Sequence, residues 1–180
     1  MLVKLLLPIV LSSVALFFAS FLSWMVLQLH RKDWRKLGRE DDFLRAVREI
    51  GLAPGNYMFP GCDSPEEMKS DAYQQRFQAG PRGVMTVFSG VNMGRNLALT
   101  FVYFLVVNFC IAYLAEMALT PGAEPMLVFR FVSTAALVAY LPAIVAHSIW
   151  FRCRIVGHVI ESIAYALIVG AIFAAMWPTT

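Results

Sequence analysis

The sequence has few cysteines, little charge outside one segment, and none of the motifs that fix a reaction. Its three cysteines, Cys62, Cys110 and Cys153, are odd in number and irregularly spaced. That excludes a disulfide framework and the paired spacing of a structural zinc site. Cys110 falls in an apolar run, where a thiol behaves as a small hydrophobe. No Asn-x-Ser/Thr sequon is present. The phosphate-loop pattern GxxxxGK[ST] is absent too, and the Gly/Asn-rich stretch at 90–96 has no strand–helix alternation around it. A net charge of +3, without a basic repeat interleaved with aromatics, leaves no nucleic-acid partner. Charged residues are 15% of the chain against about 25% in soluble domains.

What is present is apolar. Hydrophobic residues make up 59% of the chain, and they cluster in four runs, at about 5–29, 97–119, 126–150 and 155–177. The second run has 23 residues. As a helix at ~1.5 Å per residue it is about 35 Å long, enough to cross a hydrocarbon core of ~30 Å. The first run is too long for a signal-peptide core and lacks a small-residue cleavage site, so it reads as a retained span. Ala15, Ala19 and Ser23 are spaced by four on it, a face suited to close helix packing. The expected fold is an all-α, four-span membrane protein, one domain over 1–180, with a loop or cap at 30–94.

Segment 30–95 holds 11 of the 15 basic residues. Two short helices are expected in it. One spans 42–50, capped by Asp41 or Asp42 and ended by Gly51. The other opens at the capping box Ser64-Pro65-Glu66-Glu67 and runs to Ala79. Residues 52–63 read as turns between them. Residues 84–88 read as a short strand or as chain lying at the interface.

With Arg152 and Arg154 in the third connection, 13 basic residues fall on one side and only Lys4 and Arg130 on the other. By the positive-inside rule both termini face outward and 30–94 is cytoplasmic. The expected location is the plasma (inner) membrane of a prokaryote. Trp24, Trp34, Trp150 and Trp177 fall near span ends, where interface anchors sit.

Ionisable residues inside spans are costly and count as candidate sites. Glu116 and Arg130 flank a short loop at similar depth and are expected to form a structural ion pair. Near the other end, His158, Glu161, Ser162 and Tyr165 fall in an arc of about 100° on a helical wheel, and His147 closes the preceding span. His147, His158 and Glu161 are thus a candidate hydrogen-bonded cluster, proton path, or zinc or iron site. His158, Glu161 and Tyr165 are the candidate catalytic groups. No cofactor is required by the sequence.

These observations favour a non-catalytic accessory or scaffold subunit of a homo- or hetero-oligomeric assembly, with the lipid bilayer and a second membrane chain as partners. An oligomeric channel or proton-coupled transporter, and a small membrane enzyme or metal-binding protein acting at the inner interface, are the alternatives.

Overall fold

A computed structural model of the chain describes residues 2–179. It divides into two compact units: Met1–Arg35 with Met93–Thr180, and Lys36–Asn92.

The first unit is a helical bundle. A 3-10 turn leads into α1 (Leu6–Phe21), which continues as a π-helical turn at Leu22–Val26. The unit's other helices are α5 (Met93–Ala118), α6 (Pro125–Tyr140), α7 (Pro142–Phe151) and α8 (Val156–Ala175). The start of α6 is set by Glu124, whose carboxylate accepts from the Leu127 backbone N–H at 3.0 Å, with Pro125 at the first helical position. Among the described residues four stretches are long and apolar enough to cross a membrane: Val3–Val26, Met93–Ala118, Pro125–Phe151 and Val156–Ala175.

The third of these is not one helix. Expected as a continuous span over 126–150, it breaks after Tyr140. Pro142 has no N–H for the carbonyl one turn earlier, and its ring crowds that carbonyl.

Inside the unit α6 and α8 pack along their lengths, and α1 packs on α5 and α8. Gly170 makes the α6–α8 approach close: a Cβ there would stand 2.9 Å from Ser133 Cβ and 3.1 Å from the Phe129 ring. The core is apolar, built around Leu16, Ile111, Val132, Val169 and Phe173. One polar link crosses it. Asn108 of α5 donates to Ser13 Oγ of α1 at 3.0 Å, and Ser13 donates to the Ile9 carbonyl at 2.8 Å. Of the expected small-residue face, Ser23 is buried and Ala19 packs against the core. Large apolar side chains such as Leu7, Phe18, Val106, Val138 and Leu167 point outward from all four stretches. A water-facing surface rarely carries so many.

At the end of the bundle holding the α5–α6 loop, Trp177 Nε1 donates to the Thr120 carbonyl at 3.0 Å. The Gly122 N–H bonds to the Pro178 carbonyl at 2.8 Å. Trp177 is therefore packed and buried, whereas Trp34 and Trp150 project outward.

The second unit departs from an all-helical cap. It contains α2 (Glu40–Ile50), β1 (Gly55–Phe59), α3 (Pro65–Lys69), α4 (Asp71–Ala79) and β2 (Gly83–Val87). The strands pair antiparallel, with Tyr57 opposite Met85 and Phe59 opposite Gly83. The stretch read as turns thus contains a strand, and that strand gives residues 83–87 their partner. At Gly83 the Phe59 ring lies across the strand, and a Cβ there would stand 2.9 Å from its tip unless the exposed ring moved aside.

The α2 N-cap is Arg39, without a side-chain cap, rather than Asp41 or Asp42. Gly51 closes the helix at φ +71°, as expected. Half of the capping box at Ser64 forms: Ser64 Oγ accepts from Glu67 N at 3.1 Å, while the Glu67 carboxylate accepts from the Asp63 N–H at 2.8 Å, one residue before the cap. Its helix is shorter than expected, however. Ser70 turns extended and becomes a second N-cap, accepting from Tyr73 N at 3.2 Å, so the single expected helix is two.

Candidate buried histidine–carboxylate centre

The centre lies in the bundle, at the end that carries Arg152 and Arg154. Past the π turn the chain reverses. Gln28 takes φ +50°, and Leu29 N bonds back to the Ser23 carbonyl at 3.1 Å. Two further turns follow, Arg31 N to Gln28 O and Asp33 N to His30 O. They return His30 to the bundle, where it is 2% exposed.

His30 is held from every side. Its ring stacks on Trp24 with centroids 4.1 Å apart and planes 16° apart. The first turn of α8 passes beneath it, and Gly157 is what lets it pass. A Cβ at Gly157 would stand 2.8 Å from His30 Cε1 and 3.0 Å from Nδ1. Asp33 Oδ2 lies 2.8 Å from His30 Nδ1, and Asp33 Oδ1 lies 3.7 Å from Arg154 Nε.

The other ring nitrogen faces α8. His30 Nε2 is 3.2 Å from Glu161 Oε2, and His158 Nδ1 is 3.8 Å from the same oxygen. The two imidazole rings have centroids 4.4 Å apart. Glu161 is 7% exposed. Ser162, one residue on, donates to the His158 carbonyl at 2.7 Å and approaches the Tyr140 carbonyl at 3.3 Å, which fixes α8 against the end of α6. The Tyr165 hydroxyl is directed toward Glu161 and Ser20. A cavity of about 170 Å³ adjoins Glu161 and His158, with Tyr103, Tyr140 and Tyr165 among its walls.

An ionised Asp33 accepts a hydrogen bond only from a protonated Nδ1. That fixes the neutral His30 tautomer with its Nε2 lone pair toward Glu161. His30 Nε2, His158 Nδ1 and a Glu161 oxygen lie within 4.8 Å of one another. Ligands at ~2.0–2.1 Å from a tetrahedral ion stand roughly 3.3 Å apart, so the 3.2 and 3.8 Å separations are close to what such an ion needs. Neither His30 Nε2 nor Glu161 Oε1 has an aligned hydrogen-bond partner among the described residues, although both are buried. Buried lone pairs left facing one another are costly unless a proton or a cation lies between them.

The structure brings two of the three sequence candidates near each other. His158 and Glu161 come together as the wheel placed them, but His147 does not join them. It sits on α7, no residue of which is buried, and its ring stacks on Phe151 with centroids 4.5 Å apart. His30 fills the third position. His30 and Asp33 were missed as site residues. Their signal was the His-x-x-Asp spacing, which in sequence merged with the basic cluster that follows the first span. At the far end of the bundle Glu116 is half-buried in the last turn of α5, and Arg130 is exposed on α6.

Comparison with family models, with curated proteins and with solved structures finds no match to the chain.

Proposed function

We propose that this chain is a small four-span membrane metalloprotein with one divalent first-row cation, of the zinc type, bound at the cytoplasmic end of its bundle. His30 Nε2, His158 Nδ1 and the Glu161 carboxylate are the ligands. Asp33 is the orienting partner of His30, and Arg154 balances the charge of Asp33. The observation that carries this reading is the convergence of three ligand atoms within 4.8 Å, of which His30 Nε2 is buried without an aligned partner. A carboxylate behind a ligating histidine is the usual outer shell of such a site.

Three protein ligands leave a fourth position open, the arrangement of catalytic rather than structural zinc. The tyrosine-lined cavity beside Glu161 offers that position water or the polar group of a lipophilic substrate. A cation held there would lower the pKa of a bound water, and Tyr165, on the wall of the same cavity, would be the nearby proton donor. The reading is therefore a metal-dependent membrane enzyme, with hydrolysis the simplest reaction class. It ranks above the accessory-subunit and channel readings because burying the His30 imidazole with the Asp33 and Glu161 carboxylates beside a span is expensive, and scaffolding alone gives no return for it. In the same picture the termini face outward, residues 30–94 are cytoplasmic, and Glu116 with Arg130 locks the outer end of α5 and α6.

The test is metal analysis of the full-length protein purified in mild detergent without chelator, followed by Co²⁺ titration of the apo form. One metal per chain and tetrahedral Co²⁺ absorption are expected, and both are lost in His158→Ala and Glu161→Gln. A wild-type protein that takes up neither metal ends the proposal.

A further inference from the structure

We propose that the groove from Trp24 and Met25 past Arg31 to Lys32, Arg35 and Arg154 is a binding site for one anionic phospholipid. The groove adjoins the centre, since His30 also lines its first concavity, but none of the groups proposed to hold the lipid is a metal ligand, so the two readings are tested separately.

Two concavities of about 500 Å³ each meet at Arg31. The first is lined by Trp24 and Met25, both open to the outside at the end of the first apolar stretch, together with Gln28, His30 and Arg31. The second is lined by Arg31, Lys32, Arg35 and Arg154, with Trp34 as its aromatic wall. A trough with an apolar wall of Trp24 and Met25, opening into a cluster of four cations, matches an acyl chain joined to a phosphate.

The cations come from two places far apart in sequence. Arg31, Lys32 and Arg35 follow the first span, and Arg154 lies in the α7–α8 connection, its guanidinium fixed by Asp33 at 3.7 Å. Arg31, Lys32 and Arg35 face no carboxylate among the described residues. Their neighbours in sequence differ: Lys36 reaches Glu40 at 3.6 Å, and both Arg39 and Arg45 reach Asp42. The positive charge of Arg31, Lys32 and Arg35 is therefore concentrated in one concavity without a paired carboxylate among the described residues, Arg154 alone being balanced by Asp33, and the three like charges repel until an anion enters. Basic pockets at the ends of membrane helices hold anionic headgroups for this reason. A phosphate diester suits them well, since arginine binds its oxygens two at a time.

The experiment is native mass spectrometry of the delipidated full-length protein, exchanged with equimolar phosphatidylglycerol and phosphatidylcholine. Retention of phosphatidylglycerol over phosphatidylcholine by at least about tenfold is expected. The Arg31→Gln/Lys32→Gln/Arg35→Gln variant should lose the preference. The charge-keeping Arg31→Lys/Arg35→Lys variant should keep it, as should Arg130→Gln. Equal retention of the two lipids by the wild type overturns the proposal, and so does an undiminished preference in the triple glutamine variant. Full displacement of the lipid by millimolar glycerol 3-phosphate also overturns it, by assigning the pocket to a free phosphate.

Discussion

Gly157 is where the centre is most easily broken without touching a ligand. A methyl group there meets the His30 ring at 2.8 Å, and neither the ring, clamped by Trp24, nor the backbone of α8 can yield cheaply. Gly157→Ala should destabilise the protein by about 1–3 kcal/mol, the usual range for overpacking, and should weaken Co²⁺ binding with it. Detergent thermal unfolding and the Co²⁺ titration read the two effects separately. Asp33→Asn is the complementary change. It keeps the shape at His30 but removes the charge that orients Nδ1, so metal affinity should fall about 10–100-fold with the fold intact. An unchanged affinity in Asp33→Asn would leave Asp33 as a partner of Arg154 alone. Which residues these are was only partly readable in advance. His158 and Glu161 share one helix face, and periodicity finds such pairs. His30 and Asp33 reach the same point across more than a hundred residues of intervening chain, and no local pattern encodes that.

Each helix carries its own instructions, and they are of two kinds. The apolar stretches are dictated by composition, and their limits fall within a few residues of where hydropathy puts them. Their pairing depends on single small residues. Gly170→Leu would drive a side chain into Ser133 and Phe129. It should separate α6 from α8, lowering thermal stability by roughly 1–3 kcal/mol or more. The soluble-looking helices depend on caps. Ser70 begins α4 through its bond to Tyr73 N, so Ser70→Ala should cost about 1 kcal/mol. Hydrogen exchange should accelerate across residues 71–79 and not across α2. Two features of this scale were legible but passed over. Pro142 stands inside an apolar run, where a proline removes a helical hydrogen bond, and Ser70 is followed by an acidic first turn, the signature of a new helix start. Of the β1–β2 pair only β2 was legible, as a short strand at 84–88; β1 was read as turns, because two short strands gain their stability from each other rather than from their own pattern.

For the whole molecule, the native cysteines report the proposed threading. Cys153 is exposed in the α7–α8 connection, Cys62 is half-buried in the second unit, and Cys110 is exposed on the apolar surface of α5. A membrane-impermeant maleimide should label Cys153 and Cys62 in inside-out vesicles and leave both untouched in intact cells. Cys110, facing lipid, should resist it in either preparation and react only in detergent. Labelling of Cys153 from the outside would invert the topology and move the basic groove to the opposite leaflet.

Composition and periodicity determined that this chain has four stretches able to cross a membrane, a charged segment between the first two, and a His/Glu face at one end of the last. Those properties are local: each follows from which residues lie within one or two helical turns. The tertiary structure alone decided that His30 rather than His147 completes the centre. It also decided that Gly157 makes room for His30 and that Arg154 joins the arginines of the first connection. Such meetings depend on how helices distant in sequence pack, and packing is settled by the shapes of both partners at once.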